Sequence, residues 1–223
     1  MFENRREAGE RLAKELLYLK DRKPVVLALP RGGVPIGLEV ARALAAPLDL
    51  LLVRKIGTPG QPELALGAVI DGEQMEFVVN EDILEMLDLS VEFAREHARQ
   101  EVAEIERRQR LYLSGRERPS TRGRTVVVVD DGIATGATMR AALRGIRRRE
   151  PSHLVLAVPV APAETVDALR REVDEIVCLD MPYPFNSIGR FYRDFRQVSD
   201  REVRELLDQA ASEHGGASPP KAE

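Results

Sequence analysis

Tryptophan is absent from these 223 residues, cysteine occurs once and histidine three times. The single thiol, Cys178, excludes an internal disulfide. His97, His153 and His214 are too scattered to join it in a zinc site. No apolar run approaches the roughly 18 residues of a membrane span. The opening MFENRREAGERLAKELL alternates charged and apolar residues and has no hydrophobic signal core, so a cytoplasmic protein without a membrane partner is expected. A hydrophobic content of 43% with 31% charged residues excludes collagenous, coiled-coil and largely disordered classes. The net charge of −4 argues against a whole-surface nucleic-acid binder, although Arg outnumbers Lys 28 to 5 and seven arginines fall between Arg107 and Arg124. Glu101, Glu104 and Glu106 neutralise part of that run, which reads as a solvated face.

What is present is an alternation of strand-length apolar segments with helical patterns, the signature of an α/β domain with a parallel sheet. Residues 4 to 20 pattern as a helix, Pro24 to Pro30 as a buried strand, Val34 to Ala46 as a helix and Leu48 to Arg54 as a second strand. Lys55 to Glu63 holds two glycines and two prolines and is expected to be a loop. Asp71-Gly72 marks a hairpin between Leu64–Ile70 and Gln74–Val79, and Asn80 is placed to cap a helix from Glu81. A long charged helix is predicted from Ser90 to Tyr112, packed through Val91, Ala94, Ala98, Val102 and Ile105. After a polar linker, strand Thr125–Asp130 leads through a loop to a helix over Met139–Arg149. Strand His153–Val160, helix Ala163–Arg171, strand Glu175–Leu179 and a last helix over Asp200–Ala211 follow.

The chemistry concentrates in VVVV-Asp130-Asp131-Gly132-Ile133-Ala134-Thr135-Gly136-Ala137-Thr138. Gly132 and Gly136 permit the backbone to turn successive amides inward as an anion nest, and the following helix start adds unpaired donors and a positive dipole end. A phosphate monoester suits such a cradle. Two carboxylates beside it would repel a bare anion, so they address another part of the ligand, and ribose hydroxyls, which donate to carboxylates, meet that need. The loop is neither GxxxxGK[ST] nor GxGxxG. A phosphoacceptor receiver domain would need a third Asp and a Lys in strand-end order, which the chain does not offer. A turn whose glycines serve only packing is the remaining bland alternative.

The segment VVVVDDGIATGAT resembles the phosphoribosyl-pyrophosphate (PRPP) motif of the type I phosphoribosyltransferases. The resemblance implies an α/β fold with a doubly wound, mainly parallel sheet flanked by helices, a flexible loop or hairpin insertion and a small C-terminal hood. It spans about residues 24–180, with a hood near 181–198, in one domain over 1–211 and a disordered tail over 212–223. By the same resemblance Asp130 and Asp131 meet the ribose hydroxyls, and Ala134, Thr135, Gly136, Ala137 and Thr138 hold the 5-phosphate. Arg31, Gly32 and Gly33 stand where the family binds pyrophosphate; an ordinary turn with an exposed Arg is the other reading. Asp130, Asp131, Arg31 and Lys55 are the candidate catalytic residues, with Arg54 or Lys55 offsetting leaving-group charge and the following loop closing over the ligand. Mg²⁺ is the implied cofactor, carried mainly by PRPP oxygens and water near Asp130 and Asp131.

The implied reaction is attack of a nucleobase-like nitrogen on C1 of PRPP with release of pyrophosphate, as in purine or pyrimidine salvage. Ala134 stands where 6-oxopurine enzymes usually carry Asp, which weakens a hypoxanthine or guanine acceptor. Five of the ten aromatics lie between Tyr183 and Phe195. Tyr183, Phe185, Arg190 and Phe191 are the candidate acceptor pocket; a small core of the hood's own or a subunit contact is the alternative. A homodimer is expected from the family, nucleic acid is not an expected partner, and a PRPP-sensing or RNA-binding regulator on the same fold is the rival function.

Overall fold

The valines before the acid pair are apolar without alternation because both faces of their strand are covered. In the computed structural model, which describes residues 1–72 and 75–214, the strands are Val25–Ala28 (β1), Leu48–Leu50 (β2), Val53–Thr58 (β3), Gln61–Ile70 (β4), Glu76–Val79 (β5), Thr125–Val129 (β6), His153–Val160 (β7) and Glu175–Asp180 (β8). The helices are Arg5–Glu15 (α1), Gly33–Leu44 (α2), Glu81–Met86 (α3), Val91–His97 (α4), Arg99–Leu113 (α5), Ala137–Arg148 (α6), Ala163–Leu169 (α7) and Asp200–Glu213 (α8). Five strands form a parallel sheet in the order β2-β1-β6-β7-β8. Val127 and Val129 pack into one core with Leu12, Val40 and Leu207; Val126 and Val128 pack into another with Met139, Leu143 and Val166. Alternate side chains thus supply opposite layers, as a doubly wound sheet requires.

β1 and β6 are neighbours, yet the chain leaves β1 toward β2 and β6 toward β7. The crevice at their carboxyl ends is therefore the switch point at which open α/β sheets bind ligands.

The expected Leu48–Arg54 strand is in fact two strands in different sheets. β2 joins the parallel sheet, and β3 starts the antiparallel sheet β3-β4-β5. The expected Lys55–Glu63 loop is likewise corrected: Lys55 pairs with Ala68 in a ladder that runs to Thr58 opposite Gln61. The glycines do not break this hairpin. Gly57 sits at a register shift and Gly60 takes φ +77 in the turn, both places where glycine is favoured. The β4–β5 pairing follows the expected hairpin; Glu73 and Gln74, between its strands, lie outside the described residues.

Asp49, Asp71 and Arg118 join the base of this small sheet to the main one. Arg118 donates to Asp49 Oδ2 and Asp71 Oδ2 at 2.7 Å each, and to the Leu50 carbonyl at 2.7 Å. Asp71 is fully buried and also accepts from the Leu52 amide at 2.9 Å.

Asn80 precedes α3 but its side chain makes no capping bond, whereas Ser90 accepts from the Phe93 amide at 3.1 Å. The single helix expected over 90–112 divides at Ala98. There His97 Nδ1 lies 2.9 Å from the Phe93 carbonyl oxygen and competes with the helix for it. α8 continues to Glu213, so residues 212 and 213 of the expected tail are helical; residues 215–223 lie outside the described residues. No helix among the described residues is long and apolar enough to cross a membrane.

Candidate functional site

Asp130 follows β6 directly, and the turn Arg31-Gly32 follows β1 and opens α2, so sheet register brings the acids and the turn together. A Cβ on Gly33 would lie 2.9 Å from the Val129 carbonyl oxygen and 3.0 Å from the Asp130 Cα. Glycine is required there by proximity, since backbone meets backbone. The peptide between Pro30 and Arg31 is cis.

The acids are held differently. Asp130 Oδ1 accepts from the Asp131 amide at 2.8 Å, and Asp131 Oδ2 accepts from Arg5 Nε at 2.8 Å. The Tyr192 hydroxyl donates to the Asp131 carbonyl at 2.6 Å. Burial, then the adjacent Asp131 charge, pushes the Asp130 carboxyl well above the usual carboxylate range. Burial also raises Asp131, and Arg5 opposes that rise. Asp130 Oδ2 and Asp131 Oδ1 accept no hydrogen bond from another residue among the described residues.

The segment 134–138 forms an open cradle. Ala134, Thr135, Ala137 and Thr138 are exposed, while Gly136 is buried at φ +78 with its Cβ position 2.9 Å from Thr165 Cγ2. Thr165 also pins the loop by donating to the Ala134 carbonyl at 2.7 Å. Gly136 offers no side-chain cap to α6, and no acid occupies the first turn of that helix. The amides from Thr135 to Met139 donate to no group among the described residues. Such a helix start is suited to an anion.

Arg31 precedes the two glycines that pack against the acids, and its Nη1 lies 3.4 Å from Asp200 Oδ1 at the start of α8. Asp200 also accepts from the Tyr112 hydroxyl. That bond, with Arg31 and Arg107 nearby, lowers the Asp200 carboxyl. Burial and the same bond push Tyr112 up to about 12. Of the two strand-end cations, Arg54 is committed to Glu101 at 2.7 Å, and Lys55 lies within the β3–β4 ladder.

The hood aromatics do not act as a group. Phe185 and Phe191 stack at 5.2 Å, while Tyr192 turns inward between Phe2 and Phe195 at 5.4 and 5.1 Å. Tyr183 is 96% exposed and Arg190 is exposed. Arg193 is held by Glu3 at 2.7 Å. The N-terminus completes this hood: the Phe2 amide donates to the Phe191 carbonyl at 2.7 Å and the Phe2 carbonyl accepts from the Arg193 amide at 2.9 Å. The arginine-rich stretch is largely neutralised, with Arg107 and Arg108 on Glu104, Arg116 on Asp208 and Arg122 on Glu150.

Sequence reasoning missed Arg5, Asp200 and Thr165. Their site contacts span 126, 169 and 31 residues of chain, and no local spacing announces them.

No group of three or more His, Cys, Asp or Glu side chains among the described residues is arranged to enclose a metal ion. Two acids beside an anion cradle instead suit a hard cation that arrives on a ligand's phosphates and keeps much of its water.

The family model described as the phosphoribosyl transferase domain matches residues 3–190. The Mycobacterium tuberculosis protein named "Putative phosphoribosyl transferase Rv0571c" is 45% identical over 210 residues, 94% of this chain and 47% of that protein. The chain thus spans about half the length of the curated relatives it matches. Among solved structures, TT1426 from Thermus thermophilus has 42% sequence identity and a TM-score of 0.80, covering 94% of this chain and 98% of that one.

Proposed function

The chain belongs to the phosphoribosyl transferase domain family, and from that premise we propose that it transfers a 5-phosphoribosyl group from PRPP to a nucleobase-like nitrogen, releasing pyrophosphate. The observation that carries the reading is the placement of Asp130 and Asp131 between an open amide cradle and the Arg31-Gly32-Gly33 turn. Those three features match the ribose, the 5-phosphate and the diphosphate of one ligand in the order in which PRPP carries them.

In this reading the free oxygens of Asp130 and Asp131 accept from the ribose hydroxyls, and their charge favours the cationic ribosyl centre that develops as the C1–O bond breaks. The amides and hydroxyls of residues 134–138 anchor the 5-phosphate and so fix C1 relative to the acceptor. Arg31 and the Gly32-Gly33 turn take the diphosphate, with Lys55 supplying further positive charge from the hairpin. Mg²⁺, when bound, neutralises the diphosphate and improves it as a leaving group. Phe185 and Phe191 offer a planar acceptor an apolar surface, with Tyr183 and Arg190 at its exposed margin.

The unit 1–211 is proposed as one catalytic domain working in the cytoplasm as a homodimer. Pairing of the arginine run with Glu104, Asp208 and Glu150 favours catalysis over an RNA-binding role.

Calorimetry of PRPP with and without Mg²⁺, followed by a nucleobase panel with pyrophosphate release monitored, tests the reading. Mg²⁺-dependent binding and release on adding one base are expected, both abolished in Asp130→Ala/Asp131→Ala. Binding without release from any base would favour a PRPP sensor, and no binding would overturn the assignment.

A further inference from the structure

Arg5 is the first residue of α1, where an adjacent helix dipole disfavours a cation, and its side chain is only 11% exposed. Three contacts compensate that cost. Its Nε bonds Asp131 Oδ2 at 2.8 Å, its Nη1 donates to the Arg196 carbonyl at 2.8 Å, and its guanidinium lies 3.9 Å over the Phe195 ring. The adjacent Arg6 is 72% exposed and pairs with Glu10 one turn away, an ordinary surface arrangement. Arg5 is therefore held by three groups far away in sequence, and one of them is a carboxylate of the proposed ribose site.

We propose that Arg5 is a positioning residue for phosphoribosyl binding: by engaging Asp131 Oδ2 it orients the carboxylate so that Oδ1 faces the ribose hydroxyl, and it couples that orientation to the hood. This inference rests on the reading of Asp130 and Asp131 as the ribose-binding acids. Arg5 is also the cation that favours the charged form of the acid pair, since it opposes the effect of burial on both carboxyls. The Tyr192 hydroxyl holds the Asp131 backbone from the same hood, so main chain and side chain of this residue are fixed by separate contacts.

A strut that merely holds the hood would affect all ligands alike, whereas a positioning residue discriminates between a ligand with a ribose and one without. The experiment compares Mg²⁺-dependent binding of PRPP and of inorganic pyrophosphate by calorimetry in the wild type, Arg5→Met, Arg5→Lys and Glu3→Gln. Glu3→Gln breaks a hood ion pair without touching Asp131. Arg5→Met is expected to weaken PRPP by about tenfold, the scale of one charge-assisted hydrogen bond, and to leave pyrophosphate within about twofold. Millimolar guanidinium is expected to restore part of the PRPP affinity, and Glu3→Gln to behave as wild type. Arg5→Lys keeps the charge without the planar donor set and is expected to show a smaller loss, still confined to PRPP; it carries the comparison if Arg5→Met does not fold. Equal losses for both ligands, or none for either, would overturn the inference while the wild type still binds PRPP. Failure of the wild type to bind PRPP would instead remove the underlying reading, and this inference with it.

Discussion

The Asp131 carboxylate occupies the space that a side chain on Gly32 would need, since a Cβ there would fall 2.0 Å from Oδ2 and 2.5 Å from Cγ. Gly32 has φ −61 and ψ −34, a conformation open to any residue, so glycine is demanded here by proximity and not by backbone strain. Gly32→Ala should displace the carboxylate and break its bond to Arg5. PRPP affinity measured by calorimetry is expected to fall at least about tenfold, as for loss of a charge-assisted hydrogen bond, with the circular-dichroism spectrum unchanged.

Burial ties the stability contributed by Asp130 to its protonation. Its folded-state pKa is raised, so between about pH 4, where an unfolded Asp titrates, and that higher value the native state holds more protons than the unfolded one. Stability therefore declines as pH rises through this window. Asp130→Asn retains an oxygen for the Asp131 amide and removes the buried charge. Calorimetric scans without ligand are expected to give the variant a higher Tm than wild type at pH 7.5, with the difference shrinking toward pH 4.5. Pyrophosphate release should be lost in the same protein.

Arg118 neutralises Asp49 and the fully buried Asp71 together. Arg118→Met would leave two carboxylates facing each other with Arg149, bonded to the Asp71 carbonyl, as the cation still beside Asp71. The loss is expected to be about 3–5 kcal/mol, as for other broken buried pairs, read from urea unfolding. Hydrogen exchange should rise first in β3–β5, whose base this cluster joins to the main sheet.

Cys178 on edge strand β8 has its thiol pKa pushed up to about 11 by burial. Iodoacetamide should alkylate it slowly at pH 8, with the rate still climbing at pH 10 where an ordinary thiol has levelled off. A plateau near pH 8.5, by mass spectrometry of the labelled peptide, would contradict this environment.

Local chemistry was legible wherever one short segment contained all of it. The run Thr125 to Val129 is apolar because both its faces are buried, and the acids, glycines and threonines that follow occupy consecutive positions. The hairpin was less legible, because Gly57, Pro59 and Gly60 signal a loop by composition. The ladder tolerates them at a register shift and at the turn. Aromatic clustering at 183–195 identified the hood but not the orientation of its rings. Tyr192 is drawn inward by a hydrogen bond to Asp131 and by Phe2 from the opposite end of the chain, while Tyr183 stays in solvent.

By itself the sequence determined the parallel α/β core, the acid pair and the glycine-containing helix start that follows it, since hydrophobic period and helix-start chemistry act over a few residues. Only the tertiary structure decided which groups restrain them: Arg5 on Asp131, Asp200 on Arg31 and Thr165 beneath Gly136. Those partners come from α1, α8 and α7, and their contacts depend on how the helices pack around the sheet, which no local periodicity encodes.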